Sequence, residues 1–368
     1  MTPRHLYVHV PFCVRRCSYC DFAIAVRRTV PVDEFLDGIR AELGRHHALS
    51  QGATLDTVYL GGGTPSRLGP EGVARLLSQI RERFTLQADA EVTLEANPDD
   101  VAAGDAAAWV AAGINRVSLG VQSFDDTALK WMHRTHDAEQ GRAAVGALRE
   151  GGVRNVSVDL IFALPGHLRR SWRADLESVL ELEPDHISLY GLTVESHTPL
   201  ARWEARGAVR QASEDLYADE FLLADQMATA AGFTHYEVSN FARPGKESRH
   251  NSAYWSGAHY LGVGPSAHSF DGATRSWNVA PYAEWVARLR DGRSPVGGSE
   301  HLGPESRDAE RVYLGLRTTG GLATSTAELE HARRWSDAGW ARINEGTVVL
   351  TPEGWLRLDS LAAGLTGL

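Results

Sequence analysis

Six short apolar runs recur between residues 5 and 190, and each is followed by a stretch with helical spacing. This rhythm limits the fold more than any other feature of the chain. The runs are "LYVHV" (6–10), "DTVYL" (56–60), "EVTLEA" (91–96), "RVSLGV" (116–121), "NVSVDLIF" (155–162) and "HISLY" (186–190). They are rich in Val, Ile, Leu and Tyr and bounded by Gly, Pro or Asn, as strands are. Between them Val32, Phe35, Leu36, Ile39 and Leu43 fall on one helical face, as do Val73, Leu76, Leu77, Ile80 and Phe84, and Trp172, Leu176, Val179 and Leu180. Repeated β/α units imply a parallel sheet covered by helices. Near-continuous apolar strands suit burial on both faces. The pattern alone leaves an open sheet, a partial barrel and a full barrel all possible.

In such folds chemistry gathers at the C-terminal strand ends. After the first run comes "PFCVRRCSYC", and after the second Gly61-Gly62-Gly63-Thr64-Pro65. The third ends in Glu95 with Asn97 and Pro98 beyond, and the fourth in Gly120 and Gln122. The fifth carries Asp159 and runs into Leu164-Pro165-Gly166, and the sixth ends in Tyr190-Gly191. Each strand brings a thiol, a glycine turn or a polar side chain to what would be one rim. Farther on, residues 213–231 predict a helix, "DGRSPVGGSE" (291–300) reads as a linker, and "RDAERVYLGLR" reads as helical. Thr347–Leu350 reads as a strand, and Thr351-Pro352 as a capped helix start. The tail is therefore expected to be a small helical domain with a short hairpin.

The chain has 37 Lys+Arg against 47 Asp+Glu, a net charge of -10, which argues against a nucleic-acid partner. The short basic cluster His167 to Arg170 reads as a solvated helix start. No run approaches the ~20 apolar residues of a membrane span, and the N-terminus lacks the pattern of a signal peptide. The expected compartment is the cytoplasm. All three cysteines, Cys13, Cys17 and Cys20, stand in one loop. Three thiols cannot all pair, and in a reducing compartment such a group more often binds metal.

The spacing is C-x3-C-x2-C. Structural zinc sites use four protein ligands, so a zinc reading needs His5, His9 or a remote fourth group. Three thiolates suit three corners of a [4Fe–4S] cube better, with one iron left open. Pro11 stiffens the approach to the loop, and Phe12, Tyr19 and Phe22 are expected to keep water from the cluster.

"YVHVPFCVRRCSYCDF" resembles the signature of radical S-adenosylmethionine (SAM) proteins. "GGGTPS", "EANPDD", "GVQSF", "VDLIFALPG" and "RHNSAYW" narrow the resemblance to the HemN/HemW group, with the heme chaperones the nearer branch. The resemblance covers nearly the whole chain. It implies a partial (β/α)6 radical-SAM barrel in residues 1–205, an extension in 206–290 that completes the barrel, and a winged-helix-like, mainly helical domain in 300–368. It also implies a [4Fe–4S] cluster on Cys13, Cys17 and Cys20, with SAM chelating the open iron. Tyr7 and Tyr19 would line the SAM pocket. Gly62, Gly63 and Thr64 would meet its methionine amino group beside Glu95. Gln122 and Asp159 would make polar contacts, Arg134 would pair with the carboxylate, and Gly191 would lie against the adenine.

Oxidases of the HemN branch, which decarboxylate coproporphyrinogen III, carry a further cysteine two places after the third. This chain has Asp21 and Phe22 there. It also begins twelve residues before Cys13, without the longer segment those oxidases place over the site. The resemblance thus implies a heme carrier that serves an acceptor protein and draws on an electron donor such as a flavodoxin or ferredoxin. An enzyme acting on a tetrapyrrole is the alternative, and a zinc-stabilised binding domain a third reading. In His250-Asn251-Ser252-Ala253-Tyr254-Trp255 the resemblance points to heme. His250 is the candidate axial ligand and Tyr254 and Trp255 offer flat apolar surface. His268 is a second candidate near the rim.

Overall fold

The structure, a computed structural model, describes residues 2–46 and 52–367. Twelve strands form one sheet. We number them in chain order: β1 His5–Val10, β2 Thr54–Gly62, β3 Thr85–Ala96, β4 Arg116–Gln122, β5 Val156–Phe162, β6 His186–Gly191, β7 Thr234–Glu237, β8 Asn240–Ala242, β9 Tyr260–Val263, β10 His268–Phe270, β11 Thr274–Asn278 and β12 Val296–His301. Their spatial order is β12-β11-β10-β9-β1-β2-β3-β4-β5-β6-β8-β7.

The six strands expected from the sequence are β1–β6, and they lie side by side in chain order, all parallel. A seventh parallel strand, β9, joins the free edge of β1, with Tyr260 opposite His5 and Val263 opposite Val8. Antiparallel strands then extend both edges: β10–β12 beyond β9, and β8 with β7 beyond β6. Helices cover the sheet because their apolar faces have the matching period. Phe35, Leu36, Ile39 and Leu43 of helix Val32–Arg45, and Val73, Leu76, Leu77 and Ile80 of helix Gly69–Arg81, are essentially solvent-free.

Two readings are corrected. The second half of the supposed linker, residues 296–300, forms β12 with His301, paired with β11. Their side chains are mostly exposed, so no apolar alternation marks them. Their glycine is steric: a Cβ on Gly298 would stand 2.5 Å from the Trp277 ring. Arg170 is not solvated but buried, bridging Asp175 (3.1 Å) and Glu220 (2.9 Å). It ties helix Trp172–Glu181 to helix Glu214–Ala230.

The tail combines helices Pro304–Leu316, Thr326–Asp337 and Leu358–Thr366 with a three-stranded sheet. Its hairpin pairs Ala341–Asn344 with Thr347–Leu350. Thr351 caps the next helix through the backbone N–H of Gly354, with Pro352 inside the first turn, as the sequence predicts.

Candidate functional site

The ends of the parallel strands enclose a cavity of about 530 Å³. Its wall holds Cys13, Cys17, Cys20, Tyr19, Gly62, Gly63, Thr64, Glu95, Gln122, Arg134, Asp159 and Gly191. Tyr7, His250, Tyr254 and Trp255 lie outside it.

The cysteine loop is anchored at both ends. Phe12–Cys13 pairs in parallel with Ala25–Val26, which closes residues 14–24 into a flap. In mid-loop the Ser18 N–H donates to the Met132 carbonyl (3.1 Å), and the Leu200 N–H donates to the Ser18 carbonyl (2.8 Å). Arg16 donates to the Cys20 carbonyl (3.0 Å). Phe12 is not a water shield beside the thiols. It is wholly buried, edge-on to Phe35 and Tyr282, and fixes the root of the flap. Phe22 reaches the cavity wall but is 61% exposed.

Two turns shape the polar side. Gly62 has φ +112°, and a Cβ there would meet the His9 ring at 2.6 Å. A Cβ on Gly63 would meet the Pro11 carbonyl carbon at 2.6 Å, so only glycine lets this turn lie against the start of the flap. Thr64 holds its hydroxyl 3.5 Å from the Cys13 sulfur. Beside them Glu95 accepts from the Tyr59 hydroxyl (2.7 Å) and the Gly62 N–H (3.0 Å). Burial pushes its carboxyl up to about 7. The second turn is a bulge where β4 meets β5, between Gly120 and Gln122. Gln122 takes φ +70° there, and Gly120 leaves room for Arg134.

Arg134 is the centre of the polar network. Its guanidinium donates to the Asn97 side chain (2.6 Å) and the Gly120 carbonyl (2.6 Å), and reaches the Cys17 sulfur at 3.6 Å. Its buried Nε has no partner among the described residues. Asp159 accepts from the Ser118 hydroxyl at 3.0 Å to each oxygen, and burial raises its pKa. Gly191 is required by packing, because a Cβ would stand 2.3 Å from the Tyr217 ring.

These residues fit an iron–sulfur cube better than zinc. Among the described residues no three His, Cys, Asp or Glu side chains meet around a single point, as a mononuclear site needs. A cube takes each thiolate on a separate iron. Burial holds the Cys13 thiol up and pushes Cys20 up to about 11, so metal loading must release their protons. The free donor of Arg134 and the paired carboxylates of Glu95 and Asp159 then suit a small zwitterion with hydroxyl groups.

Asn97, Tyr59 and Ser118 are the residues the sequence left without a role. Asn97 stood in view in "EANPDD", but its bond to Arg134 spans 37 positions. Tyr59 and Ser118 read as ordinary strand residues.

His250 lies apart, on the short helix Arg249–Trp255, and is 1% exposed. Nδ1 is hydrogen-bonded with Thr57 (2.6 Å) and Nε2 with the Tyr254 hydroxyl (2.9 Å). Its ring stacks on Tyr59 at 5.0 Å, and burial pushes its pKa down to about 3. Tyr7 stacks on Tyr59 (6.1 Å), lies 6.4 Å from the His250 ring, and lines a second cavity of about 720 Å³, whose wall includes Tyr254, Trp255 and His268.

Comparison with known proteins places this arrangement. The pattern of the radical SAM superfamily matches residues 7–179. The heme chaperone HemW of Mycobacterium tuberculosis is 39% identical over 99% of this chain and 95% of its own length. HemW of Bacillus subtilis is 32% identical over 95% of this chain and 96% of its own. The structure of the coproporphyrinogen III oxidase HemN from Escherichia coli, a radical SAM enzyme, superposes with a TM-score of 0.82 over 99% of this chain and 90% of that one. At 23% identity that likeness speaks for the fold alone. Sequence identity over nearly the full length and the shared fold lead to one conclusion: the chain belongs to the HemW family of the radical SAM superfamily.

Proposed function

We propose that this chain binds heme and delivers it to an acceptor protein, and that it does so as a SAM-binding [4Fe–4S] protein. The observation that carries the reading is the thiol-lined cavity, where six consecutive strand ends and their turns converge on one small volume. Relatives of nearly the same length that are named heme chaperones support the cargo.

Cys13, Cys17 and Cys20 would hold the cluster, which when bound supplies one electron toward the sulfonium of SAM. The chain's own residues hold the ligand. The Gly62-Gly63 turn admits its methionine end, Glu95 accepts from the amino group, and Arg134 pairs with the carboxylate. Asp159 and Gln122 serve the ribose, and Tyr19 closes the wall beside Arg134. Asp21 and Phe22 stand where coproporphyrinogen oxidases carry another cysteine, which favours carriage over decarboxylation. No helix among the described residues is long and apolar enough to cross a membrane. The cytoplasm supplies the reducing conditions and a small electron donor such as a flavodoxin or ferredoxin.

The test is anaerobic reconstitution followed by heme loading and mixing with an apo heme acceptor. The expected result is a brown protein with about four irons per chain, heme transfer to the acceptor, and no turnover of coproporphyrinogen III. Turnover without heme binding, or a colourless protein, would overturn the reading.

A further inference from the structure

The residues assigned to heme by their sequence motif do not behave alike in the structure. Tyr254 and Trp255 line the second cavity, but His250 does not. It is buried behind them, and each of its ring nitrogens already has a close partner in Thr57 or Tyr254. To reach a metal it would have to leave two buried hydrogen bonds and its stack on Tyr59. Each such bond abandoned in the interior leaves a buried polar atom without a partner, which is costly.

The cavity offers another histidine. Only His9 and His268 bring imidazoles to its wall. His9 is occupied on both nitrogens, by the Tyr7 hydroxyl (3.1 Å) and the Ala23 carbonyl (2.8 Å). His268, on β10, is exposed and stacks on Trp277 at 5.9 Å, a contact that leaves the ring edge free. Among the described residues Arg275, Glu300 and His9 are the titratable or charged groups that act on it, and no hydrogen bond takes either nitrogen.

The rest of the wall suits a large flat apolar ligand. Phe270 lies on the same face of β10 as His268, two residues on. Trp255, Tyr260 and Tyr313 add aromatic surface from the helix Arg249–Trp255, from β9 and from the helix Pro304–Leu316. The indole N–H of Trp255 is buried with no partner among the described residues, an unmet donor in the wall. A volume of about 720 Å³ lies within the range of cofactor sites.

We propose that this second cavity is the heme pocket, that His268 is the axial ligand of the heme iron, and that His250 is a positioning residue that holds Tyr254 in the wall. The proposal rests on the heme-carrying reading above and assigns the place and the ligand within it. It also sets the heme beside the SAM cavity rather than inside it, with Tyr7 and Tyr59 between the two.

The test is ferric heme titration of the full-length reconstituted protein, read from the Soret band. His268→Ala should lose the histidine-ligated spectrum and bind roughly tenfold more weakly or worse, and added imidazole should restore the spectrum. His250→Gln should keep the wild-type Soret position while its affinity falls. Ala309→Trp, which fills the pocket without touching either histidine, should weaken binding and leave SAM binding intact. His268 is exposed, so its variant is expected to fold, and an unchanged iron content checks this. If His268→Ala titrates like the wild type, or if His250→Gln alone abolishes the ligated spectrum, the assignment is overturned while heme carriage stands. If the wild type itself binds no heme, the reading beneath it fails first.

Discussion

The two cavities share a wall but solve different problems. The thiol-lined one is prebuilt from polar parts. Arg134 is clamped by Asn97 and Gly120, Glu95 by Tyr59 and Gly62, and Asp159 by Ser118. A small charged ligand is held by direction, so the groups that meet it must already be fixed and desolvated. The second cavity is aromatic and leaves its useful polar atoms, the His268 ring and the Trp255 N–H, without hydrogen-bond partners. A broad flat ligand is held by area, and one metal bond suffices to fix it. The contrast implies that the sites can be emptied one at a time. Cys17→Ala is the most severe test. Reconstituted iron should fall from about four per chain to near zero, and the cluster absorbance should vanish. The Soret band of bound heme should not move. Loss of heme binding along with iron would mean that the two sites are one.

Beside the pairing of β9 with β1, one buried carboxylate helps tie the strands that carry the second cavity to the first half of the chain. Glu42, on helix Val32–Arg45, accepts from the Gly264 N–H (2.9 Å), the Asn278 side chain (2.6 Å) and the Trp285 indole (2.9 Å). Burial pushes its pKa up to about 7 against these three donors, from an ordinary value of 4.5. The folded protein therefore binds the proton more tightly than the unfolded chain. Below pH 4.5 both states hold it and there is no penalty. Between pH 4.5 and about 7 the unfolded chain releases the proton first, so stability falls as pH rises. Above about 7 both are ionised and the loss levels off, at a total on the order of 3 kcal/mol. Glu42→Gln removes the titration. The gap in Tm between wild type and variant should therefore move in favour of the variant from pH 5 to pH 8. A gap that stays flat would refute the buried proton.

What the sequence revealed follows from how each region is assembled. The parallel strands and their rim residues were legible because a β/α repeat places each functional residue at a fixed point, the end of a strand. Even the place of the glycine turn at the rim could be read there, although the clash between a Gly63 Cβ and Pro11 belongs to the fold. The second cavity follows no such rule. Its wall draws on residues from Tyr7 to Leu314. Part of it lies beyond the short parallel strand β9, whose four residues carry little pattern. Strand β12 was hidden because an exposed edge strand needs no apolar alternation, and its Gly298 accommodates Trp277. His250 attracted attention because a histidine beside two aromatics suits heme. Only coordinates could reveal that both its nitrogens are occupied.

The narrowest test of the comparison acts on the shared wall. The Tyr59 hydroxyl faces the first cavity through Glu95, while its ring packs against both Tyr7 and His250. Tyr59→Phe removes the first function and keeps the second. The Tyr59 hydrogen bond lowers the pKa of Glu95, so without it the carboxyl is protonated to a higher pH. SAM affinity should fall several-fold at pH 7, in line with the ~1 kcal/mol of a lost hydrogen bond to a carboxylate. It should recover partly by pH 8.5, where Glu95 ionises again. Heme affinity and Soret position should stay at wild-type values, because the ring still packs against Tyr7 and His250. Isothermal titration with SAM at both pH values, run alongside a heme titration, decides the matter. A parallel loss in both ligands would show that the hydroxyl supports the whole wall rather than Glu95 alone, and the two cavities would then have to be treated as one coupled site.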